Sequence, residues 1–154
     1  MEKRVVEALK SLDYKISFAE SCTGGLLAAT LISVSGASKV IESSFIVYSE
    51  KAKQEIVNVS KETLLKYGVT STEVALEMAL GAQNLSGSNV SVGVTGLAGP
   101  DGDGINEIGT VCFGIVINDN KYSFKNVFRN RTRDEVRRDS VLFVFNKLVE
   151  LLEI

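Results

Sequence analysis

Apolar positions recur at helical spacing through the first dozen residues, where Val5, Leu9 and Leu12 share a face, so residues 2–12 predict a short amphipathic helix. The next segment, YKISFA, alternates and reads as a strand that stops in the small polar cluster AESCTGG. From Thr23 or Gly24 onward, GGLLAATLIS is rich in Leu and Ala and predicts a helix, with Ser21 or Thr23 available to cap it. SSFIVYS is a second strand, and EKAKQEIVN and KETLLKY are short helices, the latter capped by Ser60. Thr70 and Glu73 form a capping-box pattern opening a longer helix, whose inward face carries Val74, Met78 and Leu85 beside Ala75, Ala79 and Ala82.

NVSVGVTG is a third strand, and it runs into GLAGPDGDGINEIG, a loop holding five of the thirteen glycines and the one proline, Pro100. TVCFGIVI and KYSFKNVF flank an Asn-Asp-Asn turn and predict a hairpin. Thr132 with Glu135 is a second capping box, opening a last helix with Val141, Val144, Leu148 and Leu151 inward. No linker or internal repeat interrupts residues 1–154, so one domain is expected: a three-layer α/β/α sandwich on a mixed sheet, because the late hairpin must be antiparallel.

A net charge of -2 gives no broad basic field, so neither nucleic acid nor an anionic membrane surface is the expected partner; a small ligand is favoured. No run reaches membrane-spanning length and the first residues mix both charge signs, so a cytoplasmic location is expected. The two cysteines, Cys22 and Cys112, have neither metal-ligand nor disulfide-framework spacing and are read as reduced thiols. The chain has no histidine. Ser-His-Asp, Cys-His and His-metal chemistry are therefore excluded within it, and any base must come from Lys, Tyr, Asp, Glu or Cys.

In α/β sheets, ligands gather beyond the carboxyl ends of strands, and three polar loops fit that place: Glu20–Gly25, Tyr48–Lys53 and Thr95–Gly104. The first matches neither GxGxxG nor GxxxxGK[ST], so its glycines imply a close backbone approach without a nucleotide-fold fingerprint. The third has Asp101, Asp103 and Gly104, but the glycine comes too early for a calcium loop and no closing Glu follows. In the second, a lysine whose pKa falls about three units, a differential cost of roughly 4 kcal/mol, can act as base to a serine. Lys53 is favoured over Lys51 because it lies further from Glu50. Cys22, without a histidine, is read as a packing residue. The arginines of RNRTRDEVRR either pair with Asp134 and Glu135 at the surface or supply one guanidinium to a phosphate.

The segments AESCTGGLLAA, SGAS, VYSEKAK, GVTGLAGPDG, GTV and RDEVRRDSV, in this order and spacing, resemble the C-terminal domain of the competence/damage-inducible protein CinA, over about Val5 to Leu152. Members of that family act as nicotinamide-nucleotide amidohydrolases. The resemblance implies an α/β/α domain, commonly oligomeric and elsewhere preceded by a larger domain, that deamidates nicotinamide mononucleotide to nicotinate mononucleotide and ammonia without metal or organic cofactor. It carries the site onto Ser21, Ser38, Tyr48, Lys53 and Thr95, with Arg137 or Arg133 at the last helix. The chain departs from the family pattern before Gly109, where Asn106-Glu107-Ile108 stands in place of a Lys-Pro approach.

The mechanistic expectation is a serine made nucleophilic by neutral Lys53, with Tyr48 orienting the pair or protonating the leaving ammonia. Backbone N–H groups around Ser21 to Gly24, with Thr23 and Gly24 among the binding residues, would hold an oxyanion or phosphate, and Thr95, Gly96 and Arg137 or Arg133 the nucleotide. The family pattern favours Ser38 as nucleophile, with Ser21 a substrate contact. Topology favours Ser21, because a parallel crossover puts SGAS at the opposite end of the sheet, but the family pattern is followed and Ser38 is the expected nucleophile. The competing class is a nucleotide-holding module with the lysine charged and idle.

Overall fold

A computed structural model describes residues 1–154. Helix α1 (Glu2–Leu12) leads into strand β1 (Ile16–Glu20), then α2 (Leu26–Ile32), a 3-10 turn at Ala37–Lys39, β2 (Phe45–Ile46), and helices α3 (Glu50–Glu55), α4 (Lys61–Tyr67) and α5 (Thr72–Ser86). Strands β3 (Val90–Gly96), β4 (Thr110–Ile117) and β5 (Asn120–Val127) precede α6 (Arg133–Leu151). The sheet order is β2-β1-β3-β4-β5, with β1, β2 and β3 parallel and β4 antiparallel to both of its neighbours, β3 and β5. The expected mixed α/β architecture is therefore the one formed. No helix is long and apolar enough to cross a membrane.

β1 has its two crossover partners on opposite sides, β2 and β3, so its carboxyl end lies at a switch point of the sheet. The crossovers run in opposite directions, and right-handed connections then put α2 on one face and α3–α5 on the other. The α1, α2 and α6 layer packs on Ile16, Phe18, Val92, Val94, Phe113 and Ile115. The opposite face is lined by much smaller residues. Gly93 and Gly114 are register partners, and a Cβ at either would come within 2.1 Å of Ala75 O or 2.5 Å of Leu76 Cα. α5 therefore seats its Ala-rich stripe almost on the sheet backbone, and Ser91 Oγ donates to Ala79 O at 2.6 Å.

Four local expectations change. α2 has no hydroxyl cap: it starts at Leu26, and the Glu20 carboxylate accepts instead from Leu27 N (2.9 Å) and Ala28 N (3.1 Å). The α5 cap is Ser71, which accepts from Val74 N, so the Thr70–Glu73 box does not form. Leu85 is 56% exposed rather than inward, although Ser86 beside it still reaches Ser17 of β1. β2 keeps only two paired residues, because its approach is a single bridge from Ile41 to Ile16. The Ser60 cap and the Thr132–Glu135 capping box form as the pattern predicts.

Candidate active site

Side chains alternate along a strand, and at the end of β1 that alternation separates two jobs. Glu20 turns to the α2 face and ties down that helix, while Ser21 turns to the α3 face. Ser21 N still donates to Val94 O, so the serine stays fixed to β3 just past the end of β1. β3 in turn brings Thr95 and Gly96 beside it, and Val47 N donates to Glu20 O, holding the end of β2 alongside. The three polar loops meet around a cleft of about 460 Å³ whose wall includes Ser21, Tyr48, Lys53, Thr95, Gly99 and Arg133.

Lys53 sits in α3, a helix capped by Ser49, and its side chain runs inward with only 1% of the residue exposed. Its Nζ lies 2.9 Å from Ser21 Oγ, 3.0 Å from Val47 O and 3.1 Å from Tyr48 O. Burial pulls its pKa from 10.5 down to about 8, against the smaller opposing influences of Cys22 and Glu50. The three neighbours fit both protonation states. A neutral amine donates to the two carbonyls and accepts from the serine hydroxyl; an ammonium donates to all three. The proton can thus cross between Ser21 and Lys53 without rearranging the surroundings. Cys22 faces the same cleft, but burial raises its thiol to about 11, so it remains protonated.

The sequence profile of the CinA C-terminal domain matches residues 1–152. The chain belongs to the CinA C-terminal domain family. A nicotinamide-nucleotide amidohydrolase PncC of Enterobacter agglomerans is 39% identical over 137 residues, covering 88% of this chain and 84% of that protein. A CinA-like protein of Petrotoga mobilis is 39% identical over 153 residues, covering 99% of this chain but 38% of its own length. The chain thus spans well under half of such longer relatives. Among solved structures, a CinA superfamily protein from Klebsiella pneumoniae aligns with a TM-score of 0.95 at 29% identity, covering 99% of this chain and 95% of that one. The competence/damage inducible protein CihA from Agrobacterium tumefaciens aligns at 0.94 and 34% identity, covering 99% and 93%.

In this CinA domain the other expected site residues separate. Ser38 lies in the 3-10 turn, just before Val40, whose carbonyl accepts from Ile16 N at the start of β1. It lines a different cleft with Ile32, Val34 and Ile41, so within one chain it is at the end of the sheet away from Lys53. Of the two arginines expected to bind substrate, the one in the cleft is Arg133 and not Arg137, the better match to the family motif. Arg133 lines the cleft, donating to Gly99 O at 2.8 Å and Tyr48 Oη at 2.9 Å. Arg137, one turn on, reaches behind the β1–α2 loop, where Nε donates to Cys22 O at 2.9 Å and Nη2 to Thr23 O at 3.4 Å.

Tyr48 meets the Ser21–Lys53 pair through its backbone carbonyl, while its phenol is 61% exposed and held by Arg133. Thr95 Oγ1 donates to Val69 O, and the residue lines the cleft. Thr23 Oγ1 is buried without a partner, and Gly24 N is used by Ser21 O. Asp103 accepts from Ile105 N, Asn106 N and Asn106 Nδ2, which closes its loop on itself. Sequence reading missed Glu20, because its partners are backbone N–H groups seven and eight residues on, outside any local capping pattern.

Proposed function

We propose that this chain is an amidohydrolase that releases ammonia from the carboxamide of nicotinamide mononucleotide, with Ser21 as nucleophile and Lys53 as base. The observation that carries the reading is the buried Lys53 Nζ at 2.9 Å from Ser21 Oγ on the wall of a cleft. The name of the Enterobacter agglomerans relative, of which this chain spans most of the length, supports the substrate class. Ser21 Oγ attacks the carboxamide carbon as its proton passes to neutral Lys53 Nζ. The resulting oxyanion is held by the backbone N–H of Cys22, which has no acceptor within the chain and belongs to the cleft wall. The C–N bond then breaks as Lys53 returns the proton to the departing nitrogen, and ammonia leaves. A water, giving a proton to Lys53, attacks the acyl-serine; Lys53 reprotonates Ser21, and the carboxylate product departs.

Arg133, with Thr95 and Gly96, is the group placed to take the ribose phosphate, and occupying it would exchange its bonds to Tyr48 Oη and Gly99 O for a bidentate one. The test is ammonia release from nicotinamide mononucleotide in the presence of a metal chelator, for wild type, Ser21→Ala and Ser38→Ala. The reading expects Ser21→Ala to lose at least about 10³-fold in kcat and to retain ligand binding. Loss confined to Ser38→Ala would transfer the nucleophile to a serine that a second copy of the chain must supply. A second reading is favoured by the three acceptors around Lys53, which also suit a permanently charged ammonium. In it the cleft binds a nucleotide without turnover, and the same assay separates the two.

A further inference from the structure

The polar groups of the β1–α2 loop are sorted by direction. Each carbonyl from Glu20 to Thr23 has a donor: Val47 N for Glu20 O, Gly24 N for Ser21 O, Arg137 Nε for Cys22 O, and Leu26 N with Arg137 Nη2 for Thr23 O. The Glu20 carboxylate takes the N–H groups of Leu27 and Ala28, so the start of α2 offers none of these to a ligand. Cys22 N and Thr23 N donate to nothing within the chain. Positive φ values at Gly24 (56°) and Gly25 (100°) allow the loop to close this tightly. A loop whose carbonyls are consumed from behind, and whose free dipoles are N–H groups, is complementary to negative charge.

We infer that Arg137 is a positioning residue of this site: by holding the Cys22 and Thr23 carbonyls from α6, it fixes the turn that presents the free N–H of Cys22, a residue of the cleft wall, to the oxyanion. Cys22 is thus held on both sides: Ser21 O, which shares a peptide plane with Cys22 N–H, accepts from Gly24 N and so fixes that plane, and Arg137 fastens the Cys22 carbonyl that follows. Two guanidinium N–H groups are spent in doing so, and Nη1 lies 3.6 Å from Asp134 Oδ1 on the side of α6, while Arg137 is absent from the cleft wall. It acts through the loop and touches no substrate, unlike Arg133 one turn earlier. The inference rests on the amidohydrolase reading for its catalytic consequence, and on the hydrogen bonds alone for the holding of the loop.

The experiment compares Arg137→Met and Arg137→Lys with wild type, using ammonia-release kinetics on nicotinamide mononucleotide and hydrogen exchange of the peptide covering residues 20–27. Removing one oxyanion donor outright costs about 10²–10³ in kcat, so a donor merely freed to tilt is expected to cost Arg137→Met roughly 10- to 100-fold in kcat, with KM within about threefold. Arg137→Lys, keeping one donor, falls between. A rise in KM at constant kcat would place Arg137 on the substrate phosphate and overturn the inference. Unchanged kcat and KM would also overturn it, leaving a fastening without catalytic consequence. If wild type itself releases no ammonia, the functional reading fails and the holding is judged by exchange. Loop amides exchanging at least about tenfold faster in Arg137→Met, at unchanged global stability, uphold it, and equal exchange refutes it.

Discussion

Lys53→Met separates the stability of this fold from its proposed chemistry. The native lysine titrates at about 8 and the unfolded one at about 10.5. Below pH 8 both states are protonated, and the native state carries the full penalty of hiding an ammonium, about 3 kcal/mol for that difference. Between pH 8 and 10.5 the unfolded chain binds the extra proton, so wild-type stability rises with pH by about 1.4 kcal/mol per unit; above 10.5 the gain is complete. A methionine at this position has no such dependence. At pH 7 it removes the penalty but leaves Val47 O and Tyr48 O without their donor, at about 1 kcal/mol each, so the variant should be more stable by only about 1 kcal/mol.

The assay is urea unfolding of both proteins from pH 7 to 10.5, plotted as the difference between them so that every other titrating group cancels. The difference should shift in favour of wild type by about 3 kcal/mol across that range, or about 1.5 M in midpoint for a slope of roughly 2 kcal/mol/M. Catalysis supplies the matching half. About a tenth of a lysine with a pKa near 8 is neutral at pH 7 and about nine tenths at pH 9, so kcat/KM should rise about tenfold between them. A flat difference curve would mean that Lys53 titrates as an ordinary surface lysine, and the proposed base would be lost with it.

Gly93→Ala should destabilise the fold by about 3 kcal/mol, because its Cβ meets the backbone of α5 at Ala75 O and Ala79 N rather than a movable side chain. Gly102→Ala, with no neighbour nearer than 3.6 Å, is the control, and similar melting temperatures for the two would refute the close-packing argument. Iodoacetamide at neutral pH should leave native Cys22 unlabelled and activity intact, since the thiol is buried and raised to about 11. Rapid labelling with loss of activity would instead make the thiol the nucleophile.

Elements built on local pattern were legible in the chain. α1 runs from Glu2 to Leu12 as its apolar spacing predicts, and the Thr132–Glu135 box starts α6. What the sequence left open depends on residues distant along it. Arg133 and Arg137 lie four apart on one helix and carry the same local signal; only the tilt of α6 over the β1–α2 loop sends one into the cleft and the other behind it. Ser21 and Ser38 divide in the same way. Both are small hydroxyls near glycines, and the turn of α2 between them puts them at opposite ends of the sheet.

The close seat of α5 also accounts for where the hydroxyls of the site come from. On β1 the positions facing α5 and α3 are Ser17, Ala19 and then Ser21; on β3 they are Ser91, Gly93 and then Thr95. In the middle of the sheet these residues must be small because the α5 backbone leaves no room, as the contact at Gly93 shows. Beyond the end of that helix the same rows continue into a region no helix fills, and their next members, Ser21 and Thr95, face the cleft. α3, too short to cover the opening, contributes Lys53 from the side, so the lysine is dry on the protein side and meets the serine at the cleft wall. A larger residue at Gly93 or Gly114 that lifted α5 would therefore also be expected to loosen Val69 and Thr70 at its start, and with them the wall that Thr95 Oγ1 holds.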